Sequence, residues 1–469
     1  MPIVRTAAAV LLLSVLLGAH AQVPPPLVRA IPQVRDAGAG AAGDSAIWPG
    51  FSFTQVCILV FDPASKSALL FHVDPLPQEF QPADPSAPGV GFGPIPSGEP
   101  PREGTGPVAG RLGQWVSADR LPPAPGPAAT EFLYSRAFQV FEAYRGFPQP
   151  VGIPETEFPL YDAEFNALSR AEGAILLRAL GAQKIDLPGL VAAFLSLRER
   201  RQSVLSEAAR AYEWRTEADE GLAAYAGYVA RSRTDAAGAA ADLGRRLGDG
   251  GREGAGITGA RFAATGCALA LILDRIGVNW KAEFEKTSRE SLRPTLAMVS
   301  AAATPADLGF ANLADLRREE GEALARSQAE REARERAVTQ ADGLVVRINL
   351  EAALANPQVR WSNRYAPNGI LKLDRTREIR EKYYSLVGEG HFEFASSRPI
   401  LIETRKGMTA GFAAGEVPYM TLDGQPLSLS AGQVLEGSLE IRGNQLTLKV
   451  DRARLTYSPK TLVVEPLLP

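Results

Sequence analysis

The sequence predicts an α+β protein: a mainly helical domain with a small N-terminal hairpin, followed by an antiparallel, β-rich C-terminal domain. Three observations carry this reading. Apolar residues recur at helical spacing between residues 130 and 300, a dense run of mixed charge follows over 312–338, and beyond Asp342 the pattern switches to alternation. The chain has 469 residues, of which 45% are apolar and 22% charged, the composition of a globular protein of about two to four domains. Fifty Lys and Arg against 53 Asp and Glu give a net charge of −3, without the basic excess that binding to nucleic acid demands. Three His and two Cys leave little material for a metal site rich in those ligands.

Residues 1–21 read as a signal peptide: Arg5, an apolar run over 7–17 and the small-x-small ending Ala19-His20-Ala21. That run is shorter than the roughly 20 apolar residues a bilayer span requires, and no later stretch reaches that length. No Cys follows the cleavage point to carry a lipid anchor. A periplasmic or secreted product with no membrane span after signal cleavage is expected. Residues 22–45, rich in Pro, Ala and Gly, are expected to form a flexible leader.

The main domain is placed at 46–310. Two apolar runs, 55–62 and 68–73, flank Pro63-Ala64-Ser65-Lys66 and predict a β-hairpin. Residues 74–130 hold 14 Pro and 9 Gly in 57 positions, which predicts an extended loop without a core element. Helices are then expected over 132–145, capped by Thr130, and over 162–180, 188–232, 260–276 and 279–299. The segment 188–232 is long enough to contain a break. The glycine-rich segment 248–259 has no strand before it, so it reads as a surface turn and not as a phosphate cradle.

Opposite charges at i,i+3 and i,i+4 suit a solvated helix in the 311–340 linker, and apolar residues there are too sparse for a coiled coil. From 341 to 469, alternating runs such as Leu446-Thr447-Leu448-Lys449-Val450, with turns at Asp423-Gly424 and Gly443-Asn444, predict antiparallel sheet. Cys57 and Cys267 each lie in apolar stretches and read as small buried hydrophobes, not as a disulfide pair.

Several segments in order carry a resemblance. They are Ile47-Trp48-Pro49-Gly50-Phe51, Ala137-Phe138-Gln139-Val140-Phe141, Asn166-Ala167-Leu168 with Glu172-Gly173, Tyr212-Glu213, Asp219-Glu220-Gly221-Leu222-Ala223-Ala224-Tyr225, and Gly266-Cys267-Ala268-Leu269 leading to Trp280-Lys281. Over roughly residues 46–300 the chain resembles secreted bacterial proteins related to gluzincin metallopeptidases, which implies a zincin-like helical domain. In that family a His-Glu-x-x-His helix binds zinc through two His one turn apart, the Glu activates the bound water, and a later Glu completes the site.

Carried over residue by residue, the two His positions become Ser135 and Gln139 and the base position becomes Arg136. Glu220 takes the place of the later Glu, with Tyr225 closing its segment. Ser and Gln are poor neutral ligands and a guanidinium cannot accept a proton, so the resemblance implies a degenerate site, with no metal and no cofactor expected. The other histidines do not rescue it: His20 leaves with the signal, and His72 and His391 fall in different domains. An Arg136/Glu220 pair in the former metal cleft is expected, with Gln139 and Tyr225 beside it. Glu172 is a second candidate acid that reads as readily as a helix-surface carboxylate, and Glu164 is read with the same two alternatives.

Two functions follow. The first is an exported pseudoenzyme whose cleft binds a peptide, a protein or an envelope component. The alternative is a metal-independent hydrolase using Glu220 with Glu172, or with a recruited Ser135 hydroxyl that has no His beside it in sequence to activate it.

Overall fold

A computed structural model describes residues 23–83, 89–96, 103–149, 157–159, 161–248, 257–287, 289–303, 313–366, 369–374, 376–416 and 418–468. The expected signal peptide lies outside these residues, as does most of the glycine-rich turn. The chain forms two compact units, one within residues 1–316 and the other made of Arg317–Pro469 with the short stretch Leu160–Glu164. An α+β architecture is present, helical first and β-rich second.

The helical unit begins earlier than the sequence suggested. Leu27, Ala30, Ile31, Val34 and Ala37 recur every three or four positions and bury one face of helix α1 (Ala30–Ala39) and of the turn Pro25–Val28 before it. The 22–45 leader is thus core, not flexible chain. Its prolines do not prevent this, because Pro25, Pro26 and Pro32 occupy first turns, where a missing N–H breaks no helical bond. Asp44, 1% exposed, accepts from the Phe53 amide (2.7 Å), the Tyr134 hydroxyl (2.9 Å) and Arg233 (3.1 Å), tying this segment to two helices.

Strands β1 (Cys57–Asp62) and β2 (Ser67–Phe71) form the expected hairpin. The Pro/Gly-rich stretch, expected to be a loop, adds β3 (Gln81–Pro82), β4 (Val90–Pro94), β5 (Gly104–Val108) and β6 (Arg111–Ser117). The sheet order is β3-β4-β2-β1-β6-β5, with β1 and β6 parallel. Pro82 and Pro107 lie on its two edge strands, where proline is tolerated. A Cβ on Gly93 would come within 2.5 Å of the Glu79 carbonyl, and one on Gly113 within 2.9 Å of the Cys57 carbonyl. These glycines admit close backbone approach; they do not loosen the chain.

Helix α2 (Pro127–Tyr144) starts at Pro127 after Gly126, so Thr130 is inside it and does not cap it. Helix α3 spans Ala163–Gly181. The expected helix over 188–232 is two, α4 (Leu187–Gln202) and α5 (Glu207–Gly248), with the Ser206 hydroxyl accepting from the Ala209 amide as a cap. Helix α6 (Ile257–Ile276) follows, and the last expected helix divides into α7 (Trp280–Lys286) and α8 (Arg293–Ser300). Trp48, fully buried, packs its edges on Phe138, Phe147, Trp280 and Phe284 and donates its indole N–H to Glu285 at 2.6 Å.

Helices α5 and α6 touch at backbone distance. A Cβ on Gly221 would lie 2.5 Å from Gly266 Cα, and one on Gly266 would lie 2.0 Å from the Glu217 carbonyl. Beside this contact, α3, α4, α5 and α6 enclose a cluster of three arginines and three glutamates. Arg198 grips Glu217 with two parallel bonds (3.0 and 2.9 Å) and donates to Glu172 (3.0 Å). Arg201 donates to Glu172 (2.6 Å) and to Glu213, Arg261 donates to Glu172 (2.7 Å), and Gln202 donates to Glu213 (2.8 Å). The rings of Phe194 and Trp214 cover the Arg198 guanidinium at 4.7 and 4.8 Å.

In the second unit, the charged helix α9 (Leu313–Thr339) is present as expected, and from Arg317 on it belongs with the sheet. The strands are β7 (Val345–Asn349), β8 (Trp361–Tyr365), β9 (Ile370–Lys372), β10 (Arg377–Arg380), β11 (Tyr384–Gly388), β12 (Phe392–Ser396), β13 (Ile400–Glu403), β14 (Gly407–Gly411), β15 (Tyr419–Leu422), β16 (Gln425–Pro426), β17 (Val434–Gly443), β18 (Leu446–Ser458) and β19 (Thr461–Pro466). The long strand β18 serves two sheets. Its first half pairs with β12, which continues to β11 and β8, and its second half pairs with β19, which continues through β7, β14, β13 and β10 to β9. Alternate residues of both wings, among them Phe394, Leu448, Ile400 and Val464, close a separate apolar core.

Arg198→Met is expected to destabilise the helical unit by about 3–5 kcal/mol, because it leaves buried carboxylates without their cation. Denaturant unfolding at neutral pH, read as a lower midpoint with an unchanged slope, checks this. A loss under about 1 kcal/mol would mean that the cluster is no more costly to break than an exposed pair.

Candidate functional site

Helices α2 and α5 run antiparallel in close contact, with Glu131 paired to Arg231 at 2.8 Å and Ser135 against Gly227, where an added Cβ would lie 2.3 Å from the Ser135 hydroxyl. Continuing along the same pair, Glu142 on α2 comes within electrostatic range of Asp219 on α5. This stretch of the helix pair carries the residues singled out from the degenerate motif.

Ser135 donates to the Glu131 carbonyl at 2.9 Å, one turn back, so its hydroxyl serves the helix and its packing. Arg136 lies over the Phe132 ring at 5.4 Å and donates to Gln139 at 3.1 Å. The Arg136/Glu220 expectation is met only at a distance. The Arg136 charge favours ionised Glu220, yet the two form no ion pair, and Arg136's hydrogen bond goes to Gln139. Burial, then the neighbouring Asp219, push the Glu220 carboxyl above its ordinary range, with Arg136 opposing.

Two other expected members lie elsewhere. Glu172 is 1% exposed and its two oxygens accept from Arg198, Arg201 and Arg261, so it is neither in the cleft nor free to act as an acid or base. A Glu220/Glu172 hydrolytic pair is therefore not assembled. Tyr225 is fully buried; its hydroxyl donates to Asp274 and accepts from Lys281 at 2.8 Å, on the side of α5 that meets α6 and α7. Glu164 pairs with Arg317 at 3.4 Å.

What the structure adds is Glu142, an acid outside the motif segments, beside Asp219. Glu142 is 0% exposed, and neither carboxylate oxygen has a hydrogen-bond partner. Burial, reinforced by Asp219, pushes its pKa well above the ordinary carboxylate value and so favours its neutral form. Asp219 accepts from Gln149 at 2.9 Å, and burial pushes its pKa up to about 6. Glu142 was legible in principle: it lies one turn after Phe138, on the buried stripe of α2. Among the described residues, no group of three His, Cys, Asp or Glu side chains is placed to hold one metal ion.

Of the histidines and cysteines, His72, Cys57 and Cys267 belong to the packing of the first unit. His72 holds its Nδ1 2.8 Å from the Val56 carbonyl and its ring edge-on to Phe53, and burial lowers its pKa. His391, in the second unit, is 3.2 Å from Asp451. Cys57 and Cys267 are both buried and free, with their thiol pKa values raised by burial. No protein-family model, curated protein or solved structure matches the chain.

The acids at the α2–α5 contact set a pH dependence of definite sign. A folded-state pKa above the unfolded value means that folding takes up a proton, so stability is undiminished below the unfolded pKa and falls as the pH rises through the folded one. For Glu142 the loss begins near pH 4.5, its ordinary value; for Asp219 it runs from 3.8 to about 6. Glu142→Gln, neutral at every pH, is expected to match the parent in stability at pH 4 and to exceed it at pH 8. Thermal melts of both proteins across that range check this. A constant difference would mean that Glu142 is ionised in the folded chain.

Proposed function

We propose that the chain is an exported, non-catalytic binding protein that keeps the helix pair of a zinc metallopeptidase and has replaced its metal-site residues. The reading rests on one observation above others. At the three positions that carry His, Glu and His in the family it resembles, the side chains are Ser135, Arg136 and Gln139, and these engage one another and their own helix. A guanidinium cannot serve as the general base, and a Gln amide already accepting from it is not poised to take a metal. Arg136 supplies, at a distance from Glu220, part of the positive charge that a metal would have supplied.

On this reading the Arg136–Gln139 pair and the half-buried Glu220 offer donors and an acceptor side by side, which suits a peptide backbone or a polar envelope component. Export rests on the signal-like residues 1–21.

Elemental analysis of the purified protein tests this. The parent is expected to carry no stoichiometric zinc, and the triple variant Ser135→His, Arg136→Glu and Gln139→His to gain about one zinc that Glu220→Ala then removes. Stoichiometric zinc in the parent, lost on Glu220→Ala, would overturn the reading. A folded triple variant that gains no zinc would contradict the assignment of positions 135, 136 and 139.

A further inference from the structure

Independently of the α2–α5 contact, the β-rich unit carries a pocket of its own, about 430 Å³ in volume, between the two wings of the sheet at their open edge. In a sheet of this kind the inward residues should be apolar, and most are. Strand β10 breaks the rule. Glu378 and Arg380, two apart and therefore on one face, sit in register with Ile402 and Ile400 of β13, which are inward residues. Their side chains are only 20% and 11% exposed. Facing them from β8 and β11 are Trp361, Asn363 and Tyr384, likewise on one face by register. A local rule broken at a concave place is a pointer to function.

The pocket's hydrogen-bonding inventory is unbalanced in an informative way. Arg380 donates through Nε (2.8 Å) and Nη2 to the same oxygen of Glu378, and its guanidinium stacks over Tyr365 at 4.2 Å. Its Nη1 is buried and has no partner, and neither has the buried indole N–H of Trp361. Both side chains line the pocket, and their two orphaned donors lie just behind its wall, where an acceptor oxygen reaches them once the Arg380 and Trp361 side chains turn slightly toward it. Charge, however, is already balanced: Arg380 pairs with Glu378, and Arg405 and Glu403 at the rim offset one another. An anion would gain the two donors but would meet Glu378, whose second oxygen remains open to accept. The floor, with Leu350, Leu386 and Met408, is apolar.

We propose that this pocket binds a neutral, hydroxyl-rich ring, a mono- or disaccharide, with hydroxyl oxygens accepting from Arg380 Nη1 and Trp361 Nε1, another hydroxyl donating to Glu378, and the C–H face on the apolar floor. A sugar supplies donors and acceptors together with an apolar face, which matches the mixed lining. The volume lies in the range of small-ligand sites, about 300–1,000 Å³. Trp361 is held ready for this role. Its ring packs on Phe392 at 5.5 Å and crosses Gly388, where a Cβ would be 3.0 Å from the indole.

The test uses the full chain labelled with ¹⁵N at its five tryptophan indoles, with Trp361 assigned from Trp361→Phe. Glucose, N-acetylglucosamine and cellobiose are titrated, with benzoate as the charged comparator. At least one sugar is expected to shift the Trp361 indole resonance saturably, with a Kd on the order of 1 mM, leaving the other four in place. Arg380→Met is expected to weaken that binding about tenfold or more, with the sugar-free Trp361 indole resonance, the one tryptophan probe of the β-rich unit, keeping its dispersed position and so reporting an intact fold. No saturable shift with any of the three sugars, or a shift with benzoate alone, would overturn the proposal.

Discussion

The helical unit is organised around charge held out of water. Six ionisable side chains from four helices meet at Arg198, Arg201, Arg261, Glu172, Glu213 and Glu217, and all but Arg261 are within about 1% of full burial. Burial alone would pull the arginines down and push the acids up; mutual attraction overrides it at Arg198, Arg201 and Glu213, whereas burial prevails at Glu217 and Arg261. Arg198 is driven above its ordinary value by Glu172, Glu217 and Glu213, against burial. Glu213, despite burial, is held down to about 2 by Arg201 and Arg198. Burial and the adjacent Glu213 push Glu217 up to about 7 against Arg198. Because three cations meet three carboxylates, no helix can slide without stranding a charge, and the close Gly221–Gly266 contact between α5 and α6 is fixed beside it.

This constraint positions the other face of α5. With Glu213 and Glu217 turned into the cluster, Asp219 and Glu220, on the next turn, are carried toward α2, where they meet Glu142 and come within range of Arg136. The two faces are electrostatic opposites. On one, three guanidinium groups pair with the three carboxylates. The other has excess acid, a single Arg at a distance, and carboxyls that burial drives toward their neutral forms. Glu142, a buried carboxyl with no hydrogen-bond partner, stands on a helix face otherwise lined by Leu133, Ala137, Phe138 and Phe141.

Much of the architecture was legible, and the failures share a cause. Helices α2, α3 and α6 and the alternating strands were readable from the periodicity of their apolar residues, and the charged helix α9 from the i,i+3 and i,i+4 spacing of its opposite charges. The leader and the 74–130 stretch were misread because Pro and Gly were counted as breakers without regard to position: first helical turns, sheet edges and points of close approach accommodate them. Glu172 and Tyr225 were assigned to the wrong face of their helices. Arg198, Arg201 and Gln202 went unnoticed although they continue the buried stripe of Leu190 and Phe194 at helical spacing. A charged residue in phase with an apolar stripe is the signal that would have found them, and it would have found Glu142 as well. Glu378 and Arg380 carry the same signal in period two, on the inward face of a strand.

The central claim is that the buried cluster acts as one coupled unit that sets the helix register. A double-mutant cycle on its bidentate pair, Arg198→Met and Glu217→Gln, measured by denaturant unfolding, tests this most directly. The coupled account requires the double variant to be more stable than the sum of the single losses allows, by about 1–3 kcal/mol, since removing both partners leaves less charge stranded than removing either. Losses that add within about 0.5 kcal/mol would contradict it, because they would mean that Arg198 and Glu217 stabilise the unit independently.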